Sequence, residues 1–457
     1  MSVIPGGLDT GQQPPMTVPM RHFVVGFCFL LGGAVFGLGN TLGLVSGLAT
    51  LSHVHLLLAG WVCITIMGAM TQFVPVWSGV ELHSRRFAVV QLWLVTIGLV
   101  GFVAMLLIRD LRLLPLFGAV MLIGFWVFVY NLSRTLVTAR PLDVTERHFG
   151  LSLCFFVLLT VLGLLLAVDF TYPVFAPLSI PRERIVMTHA TLAVFGAVLT
   201  TILGALYQLG TMFTQTSLHG IDSHLRRFET VAYPVGVVTL ALGRLLAIHS
   251  IAQVGGLLVI ASLLGFSVIL ARRLYETQVD WTPMLSRYAV VVPAMILWAV
   301  LTTPTWFVDP LTRSSLFGAP GAVHLLVLGI IGFVVLGTLY HIVPFIIWVH
   351  RYSDLLGYEK VPMIDDLYNA RIAAVDFIAV FLGTVLIVLT EWFALPSIAL
   401  PVSGLSVLAG CCLFVANMLL VIHTHSPHGL RGILVSRLAA SNQRRISESQ
   451  EPPSDRR

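Results

Sequence analysis

The chain has 457 residues, 57% of them apolar and only 10% charged, and its mean hydropathy is +0.94. An ordinary soluble domain carries about 25% charged residues, so a water-soluble globule is excluded and lipid is the solvent for most of the surface. The net charge of +5 rests on 25 Arg and one Lys, an excess that in a membrane protein reports loop orientation and not a nucleic-acid partner.

The residues before the first apolar run are polar and rich in Pro and Gly, without a basic stretch or a small-residue cleavage site, so no targeting segment is expected. Windows of about 20 apolar residues then predict twelve spans, which makes the fold class all-α and polytopic. The first six lie near 22–46, 52–76, 87–108, 113–131, 149–170 and 185–213. The second six lie near 228–247, 251–271, 288–308, 320–349, 372–394 and 396–422. The domain division is therefore a polar tail over 1–21, a membrane domain over 22–422 and a tail over 423–457 that is expected to be cytoplasmic and disordered. With the N-terminus inside, 20 of the 26 Lys and Arg fall on the inner side and 6 on the outer, which predicts a multi-pass protein of the cell membrane with both termini cytoplasmic. Cys28, Cys63, Cys154, Cys411 and Cys412 all fall inside apolar runs, which argues against a disulfide framework, and no C-x-x-C-H segment exists for covalent haem attachment.

Three spans repeat one another. Span 2 reads SHVHLLLAGWVCITIMGAMTQFVP, span 6 reads THATLAVFGAVLTTILGALYQLGT and span 10 reads GAVHLLVLGIIGFVVLGTLYHIVP. Aligned without gaps, they share the columns Leu56, Leu192 and Leu325; Gly60, Gly196 and Gly329; and Gly68, Gly204 and Gly337. Thr71, Tyr207 and Tyr340 form a further column, followed by Gln72, Gln208 and His341. His53 and His189 share one column, and His55 and His324 share the column two residues later. The repeat implies a pseudo-threefold 4+4+4 ring of helices.

Histidines inside a membrane span cost several kcal/mol unless they find partners, so four of them at equivalent positions ask for one explanation. At 100° per residue His53 and His55 point about 200° apart, so span 2 offers an imidazole to each of two neighbours. Two imidazoles from facing helices can hold a haem on its two axial positions, or a metal ion. The plain alternative is a hydrogen bond from each His to a backbone carbonyl or hydroxyl.

Twelve spans, a pseudo-threefold ring and histidines near the outer ends of spans 2, 6 and 10 resemble subunit I of the haem-copper oxidase superfamily. The segment HVHLLLAGWVCITIMGAMTQFVPVWSGVEL also resembles the H-x-H and P-x-W-x-G stretch of NnrS-type haem-copper membrane proteins, a family linked to nitric oxide metabolism. The resemblance implies a low-spin haem b between His53 and His324. The oxidase pattern's second His on span 10 is Ala322 here, and its His-Pro-x-x-Tyr segment and His-His pair are missing. By pseudo-symmetry His55 faces His189, as a second site for another haem, copper or non-haem iron. The competing pairing is His55 with His324. Arg244 and Arg313 are candidates for binding haem propionates, beside Arg182, Arg184 and Trp306. His341 could serve a proton path, but Asp376 sits only about one turn into span 11, so no proton pump is expected, and His423, His425 and His428 read as an interface cluster.

The function expected is a haem-binding membrane redox protein acting on or sensing nitric oxide or dioxygen, with electrons from a small redox protein or quinol. It would be an oxidoreductase without the full copper-site motifs, and its oligomeric state is left open. The alternative is a secondary transporter or channel for a small solute, because internal repeats with Gly-interrupted helices also build transporters.

Overall fold

The computed structural model describes residues 13–435. Twelve helices are long and apolar enough to cross a membrane, and no strand occurs among the described residues. They are α1 Thr17–Thr41, α2 Ala49–Ser78, α3 Arg85–Ile108, α4 Leu111–Thr138, α5 Val144–Val168, α6 Arg182–Thr214, α7 Ile221–Leu246, α8 His249–Tyr275, α9 Pro283–Val308, α10 Leu325–Arg351, α11 Ala370–Trp392 and α12 Ala399–His425. The chain is thus an all-α, multi-pass membrane protein. An even number of crossings brings both ends of the described chain to one face, called here the terminal face. Four of the six helices that begin there are capped by polar side chains: Ser84 on α3, Asp143 with Glu146 on α5, Thr282 on α9 and Asn369 on α11.

Packing sorts the helices into a centre and a rim. The most apolar windows of α2, α6 and α10 are 67%, 83% and 78% buried, and no other helix exceeds 56%. The three repeats therefore put their second helix at the centre, and the pairs α3 with α4, α7 with α8 and α11 with α12 pack as outer hairpins. The glycine columns are the points of close approach of the first helix in each repeat. A Cβ at Gly60 would lie 2.6 Å from Phe29 on α1, and one at Gly196 would lie 2.9 Å from Phe155 on α5. Gly68 and Gly204 meet His22 and His148 in the same way, at 2.6 and 2.5 Å.

Each central helix also carries the same backbone irregularity. The eight residues Leu56–Cys63, Leu192–Leu199 and Leu325–Gly332 are wound as π-helix, and they occupy identical columns of the repeat. Each stretch begins immediately or a few residues after the histidine columns. Such widened turns are rare and concentrate at functional sites.

Both ends of the membrane domain differ from expectation. The first crossing begins at Thr17, before the expected residue 22, because Pro19 fits a first helical turn and Arg21 and His22 are buried rather than interfacial. Within the tail expected to be disordered, 423–425 complete α12 and Gly429–Val435 form a short helix, α13. It is held against α1 by a 2.8 Å hydrogen bond from Arg21 Nε to the Ile433 carbonyl, with Ile433 fully buried. The remainder of that tail, 436–457, and residues 1–12 lie outside the described residues.

Candidate functional site

The four repeat histidines lie near the end of the bundle opposite the terminal face. His53 and His55 close the first α-helical turns of α2, His189 ends the corresponding stretch of α6, and His324 caps the π-helical start of α10. His53 stands within electrostatic reach of His324, and His55 within reach of His189. The two imidazoles of α2 diverge, as helix geometry requires. His53 crosses to α1, while the His55 ring packs 5.0 Å from Phe102 on α3.

All four rings are held by Nδ1. His53 Nδ1 donates to the Gly33 carbonyl at 2.7 Å, His55 to the Leu51 carbonyl at 2.8 Å and His189 to the Leu159 carbonyl at 2.8 Å. His324 Nδ1 donates to Glu391 Oε1 at 2.5 Å. A carbonyl or carboxylate oxygen can only accept, so Nδ1 carries the proton and each Nε2 keeps its lone pair. None of these four Nε2 atoms finds a partner among the described residues. His350 makes a similar Nδ1 bond to Ile346, so that bond alone does not mark a ligand. What separates the repeat histidines is that they lie in pairs within electrostatic reach, with Nε2 atoms unpartnered among the described residues.

Space accompanies them. One helical turn below each imidazole stands an apolar residue of a central helix: Leu57, Ala59, Ala193 and Leu328. All four stay partly exposed although their helices form the centre of the bundle. The glycines on the rim are matched to the rings. A Cβ at Gly37 would come within 2.6 Å of the His53 imidazole, and one at Gly163 within 3.0 Å of His189.

The third interface, between α6 and α10, is built differently. Its repeat positions hold Thr191 and Ala322 in place of histidine, both fully buried. The residues one turn below, Phe195 and Leu326, are also fully buried. Phe195 packs on Trp298 and Trp306, with ring centroids 5.8 and 5.5 Å away. Arg244, 1% exposed, donates to Thr191 Oγ1 at 2.7 Å, to the Ser315 carbonyl at 3.1 Å and to the Pro310 carbonyl at 3.2 Å. Its guanidinium lies 5.3 Å from the Trp306 ring.

Arg244, expected as a propionate candidate, seals the third interface, with three of its donors fixed inside the protein. Trp306 is committed to the same plug by its indole bond to the Ser315 carbonyl at 2.6 Å. Arg182 is paired with Asp169 at 2.6 Å. Arg313 is exposed at the histidine end and forms no ion pair among the described residues. His425 bonds Tyr352, and no group of three or more His, Cys, Asp or Glu able to hold a metal ion occurs among the described residues.

A second polar layer, of which the sequence reading singled out only Asp376, lies roughly 25 Å nearer the terminal face, taking about 1.5 Å per residue along α2. In the second repeat, buried His148 accepts or donates at Nε2 with Glu229 at 3.1 Å, and Tyr207 donates to Glu229 at 2.8 Å. In the third, buried Arg287 and Tyr340 both bond Asp376, and Asn417 donates to Tyr340 at 3.1 Å. In the first, His22 and Gln91 hold the matching positions, but His22 Nε2 and both polar atoms of the Gln91 amide are buried without partners. His22, His148 and Arg287 each bond the carbonyl four residues earlier. A visible signal existed for this layer: Arg21-His22-Phe23 and Arg147-His148-Phe149 repeat, each followed five residues later by Cys-Phe. Glu391, the partner of His324, had no comparable signal.

No protein-family model matches the chain, and no curated protein matches it.

Proposed function

We propose that the chain is a haem-binding membrane redox protein of the haem-copper oxidase subunit I-like type. The supporting observation is the arrangement of imidazoles: two pairs within electrostatic reach, each ring held by Nδ1 with its Nε2 lone pair free, beside partly open space. A porphyrin supplies four of the six iron ligands, so a haem needs only two from the protein, which suits pairs better than copper or non-haem iron sites do. His53 and His324 would hold the iron of a b-type haem, and His55 with His189 a second group. Bound haem would supply one-electron chemistry toward nitric oxide or dioxygen, with electrons from a small redox protein or quinol.

The protein's own part is orientation and tuning. The Gly33 carbonyl fixes the tautomer and direction of His53. Glu391 does the same for His324 and, as a carboxylate, makes that imidazole the more basic ligand. Of the candidate cations, Arg184 and Arg313 form no ion pair among the described residues and are left for a propionate. The orientation that accompanies this reading puts the terminal face in the cytoplasm, on the 20 to 6 partition of Lys and Arg.

Purified chain, expressed with haem supplied, is expected to show a reduced spectrum of b type and a Soret band. Less than about 0.2 iron per chain would overturn the reading, since bis-imidazole ligation without stoichiometric iron is no site. A reporter fused after residue 457 is expected in the cytoplasm, and an external one would overturn the orientation.

The buried layer of Arg287 with Asp376 and His148 with Glu229 favours a second reading, a proton-coupled transporter. Ionisable groups inside a bundle are commonly parts of ion pathways. A purified chain without Soret absorbance that takes up a solute in proteoliposomes, driven by a proton gradient, would favour it.

A further inference from the structure

The second repeat differs from the other two at the terminal face. A cavity of about 830 Å³ opens there between α5, α6 and α7, and its lining includes Arg147, Arg226, Arg227, Thr211 and Ser217, with the Tyr207 side chain bordering it too. Arg226 and Arg227 form no ion pair with any described residue. Arg147 makes one internal bond, to the Leu142 carbonyl at 3.1 Å. The only acidic residue in the lining, Asp143, accepts the backbone N–H of Glu146 as the cap of α5. Three cations therefore face one carboxylate across a cavity large enough for a sizeable ligand.

The repeat shows that this is not a shared structural need. The positions of Arg226 in the first and third repeats are Ala88 and Ala373, and both pack fully buried against their neighbours. Where two repeats place a methyl group in the core, the second places a guanidinium at a cavity. The cavity also has a lipid side. Val231 belongs to its lining and is 65% exposed, and Val235, Val238 and Leu242 continue an exposed aliphatic stripe along α7. A ligand with an anionic head and aliphatic chains matches both parts.

We propose that this cavity binds the phosphate-bearing headgroup of an anionic phospholipid, with Arg226 and Arg227 on the phosphate and the acyl chains along the Val231 to Leu242 stripe of α7. Basic pockets between membrane helices hold lipid phosphates by charge-assisted hydrogen bonds in this way. The site is independent of the haem reading, which concerns the opposite end of the bundle.

The test is native mass spectrometry of the full detergent-solubilised chain with dioleoylphosphatidylglycerol or dioleoylphosphatidylcholine. Wild-type protein is expected to retain the glycerol lipid preferentially, and R226Q/R227Q to lose about thirtyfold in its affinity at roughly tenfold or less per arginine. R226K/R227K keeps the charge and is expected to recover most of the binding, which separates loss of the site from loss of the fold. Unchanged retention in R226Q/R227Q, or equal retention of both lipids by wild type, would overturn the proposal. Pyrophosphate that binds the wild type in an Arg226-dependent manner while the glycerol lipid does not would overturn the lipid as its source.

Discussion

Three interfaces around the central helices are related by the repeat, and they have taken two opposite courses. Where α2 meets α10 and where α2 meets α6, the repeat positions hold histidines within electrostatic reach of each other and the residues one turn below remain partly exposed. Where α6 meets α10, Thr191 and Ala322 replace them, and Arg244, Trp298, Trp306 and Phe195 fill the volume. The same backbone, including the same π-helical stretch, accommodates both. The difference therefore lies in side chains alone. A polar group left without a partner in the bundle costs several kcal/mol, so an interface without the histidines is filled by side chains that satisfy one another. The buried Arg244 satisfies the carbonyls and hydroxyl around it while its stem and the indoles occupy the space.

The largest effect is expected at the open α2–α10 interface. His53→Ala or His324→Ala should each abolish the low-spin haem signal, because a six-coordinate iron loses its character when either axial ligand goes. His55→Ala and His189→Ala should spare that signal and remove a second haem, a second metal or the reaction with nitric oxide. Absorbance and electron paramagnetic resonance spectra of the four variants provide the check. A signal that survives loss of His53 but collapses on loss of His55 would restore the pairing of His55 with His324.

At the sealed interface the outcome should invert. Arg244→Ala leaves the Pro310 carbonyl unpaired and a void beside Trp306, so it should cost roughly 3 kcal/mol of stability and leave the haem spectrum in place. A denaturation midpoint measured on the haem-loaded protein distinguishes this from a ligand role. Loss of the low-spin signal without loss of stability would return Arg244 to the neighbourhood of a propionate. Introducing the missing pair with T191H/A322H should add no iron, because the volume is already filled and overpacking costs about 1–3 kcal/mol.

How much of this was legible before the structure depends on which physical signal each feature left. The crossings, the columns and the divergence of His53 from His55 follow from hydropathy and helical period, and the helices form where these place them. The second polar layer was hidden by the same method. A 20-residue hydropathy window averages Glu229, Arg287 and Asp376 into their apolar surroundings, and each lies near a helix end, where a charge is ordinarily read as interfacial. Only the twin Arg-His-Phe segments of α1 and α5 betrayed it. The commitment of Arg244 was hidden for the same reason, since its position near the end of α7 says nothing of the Thr191 hydroxyl it reaches 53 residues away. Partners so distant in sequence leave no periodic trace.

A smaller effect separates the two rings of the α2–α10 pair from one another. His53 is held by a backbone carbonyl, His324 by the Glu391 carboxylate. Glu391→Gln keeps a hydrogen-bond acceptor but removes the charge, so the His324 imidazole becomes a weaker donor to iron. Haem affinity is expected to fall by about 10–100-fold, the usual range for loss of such a partner, and the midpoint potential to rise as the ferric state loses support. Redox titration of the variant checks this, and an unchanged potential would show that Glu391 only fills space.

The smallest effect concerns how α6 is presented to the second pair. The loop before it is pinned by Asp169, whose carboxylate accepts the Val174 and Phe175 backbone N–H groups at 2.8 and 3.2 Å and pairs with Arg182 at 2.6 Å, two helical turns before His189. Partial burial works to raise the Asp169 pKa, but the hydrogen bonds from Arg182, Phe175 and Val174 outweigh it and hold the carboxyl below its ordinary value. A carboxyl that is more acidic in the folded chain contributes its stability above its unfolded pKa and loses it as pH falls through the folded value. The loop should therefore loosen only below about pH 4, the usual range for an Asp. Because Arg182 is a third exposed, the pair is worth no more than about 1 kcal/mol. Asp169→Asn should flatten the acid limb of a stability profile while leaving the neutral plateau within that margin. It should also leave the His53–His324 spectrum untouched, and any change confined to the second group would tie the loop to His189. A spectrum altered at both pairs would mean that the two open interfaces respond as one, which would break the independence that their separate partners imply.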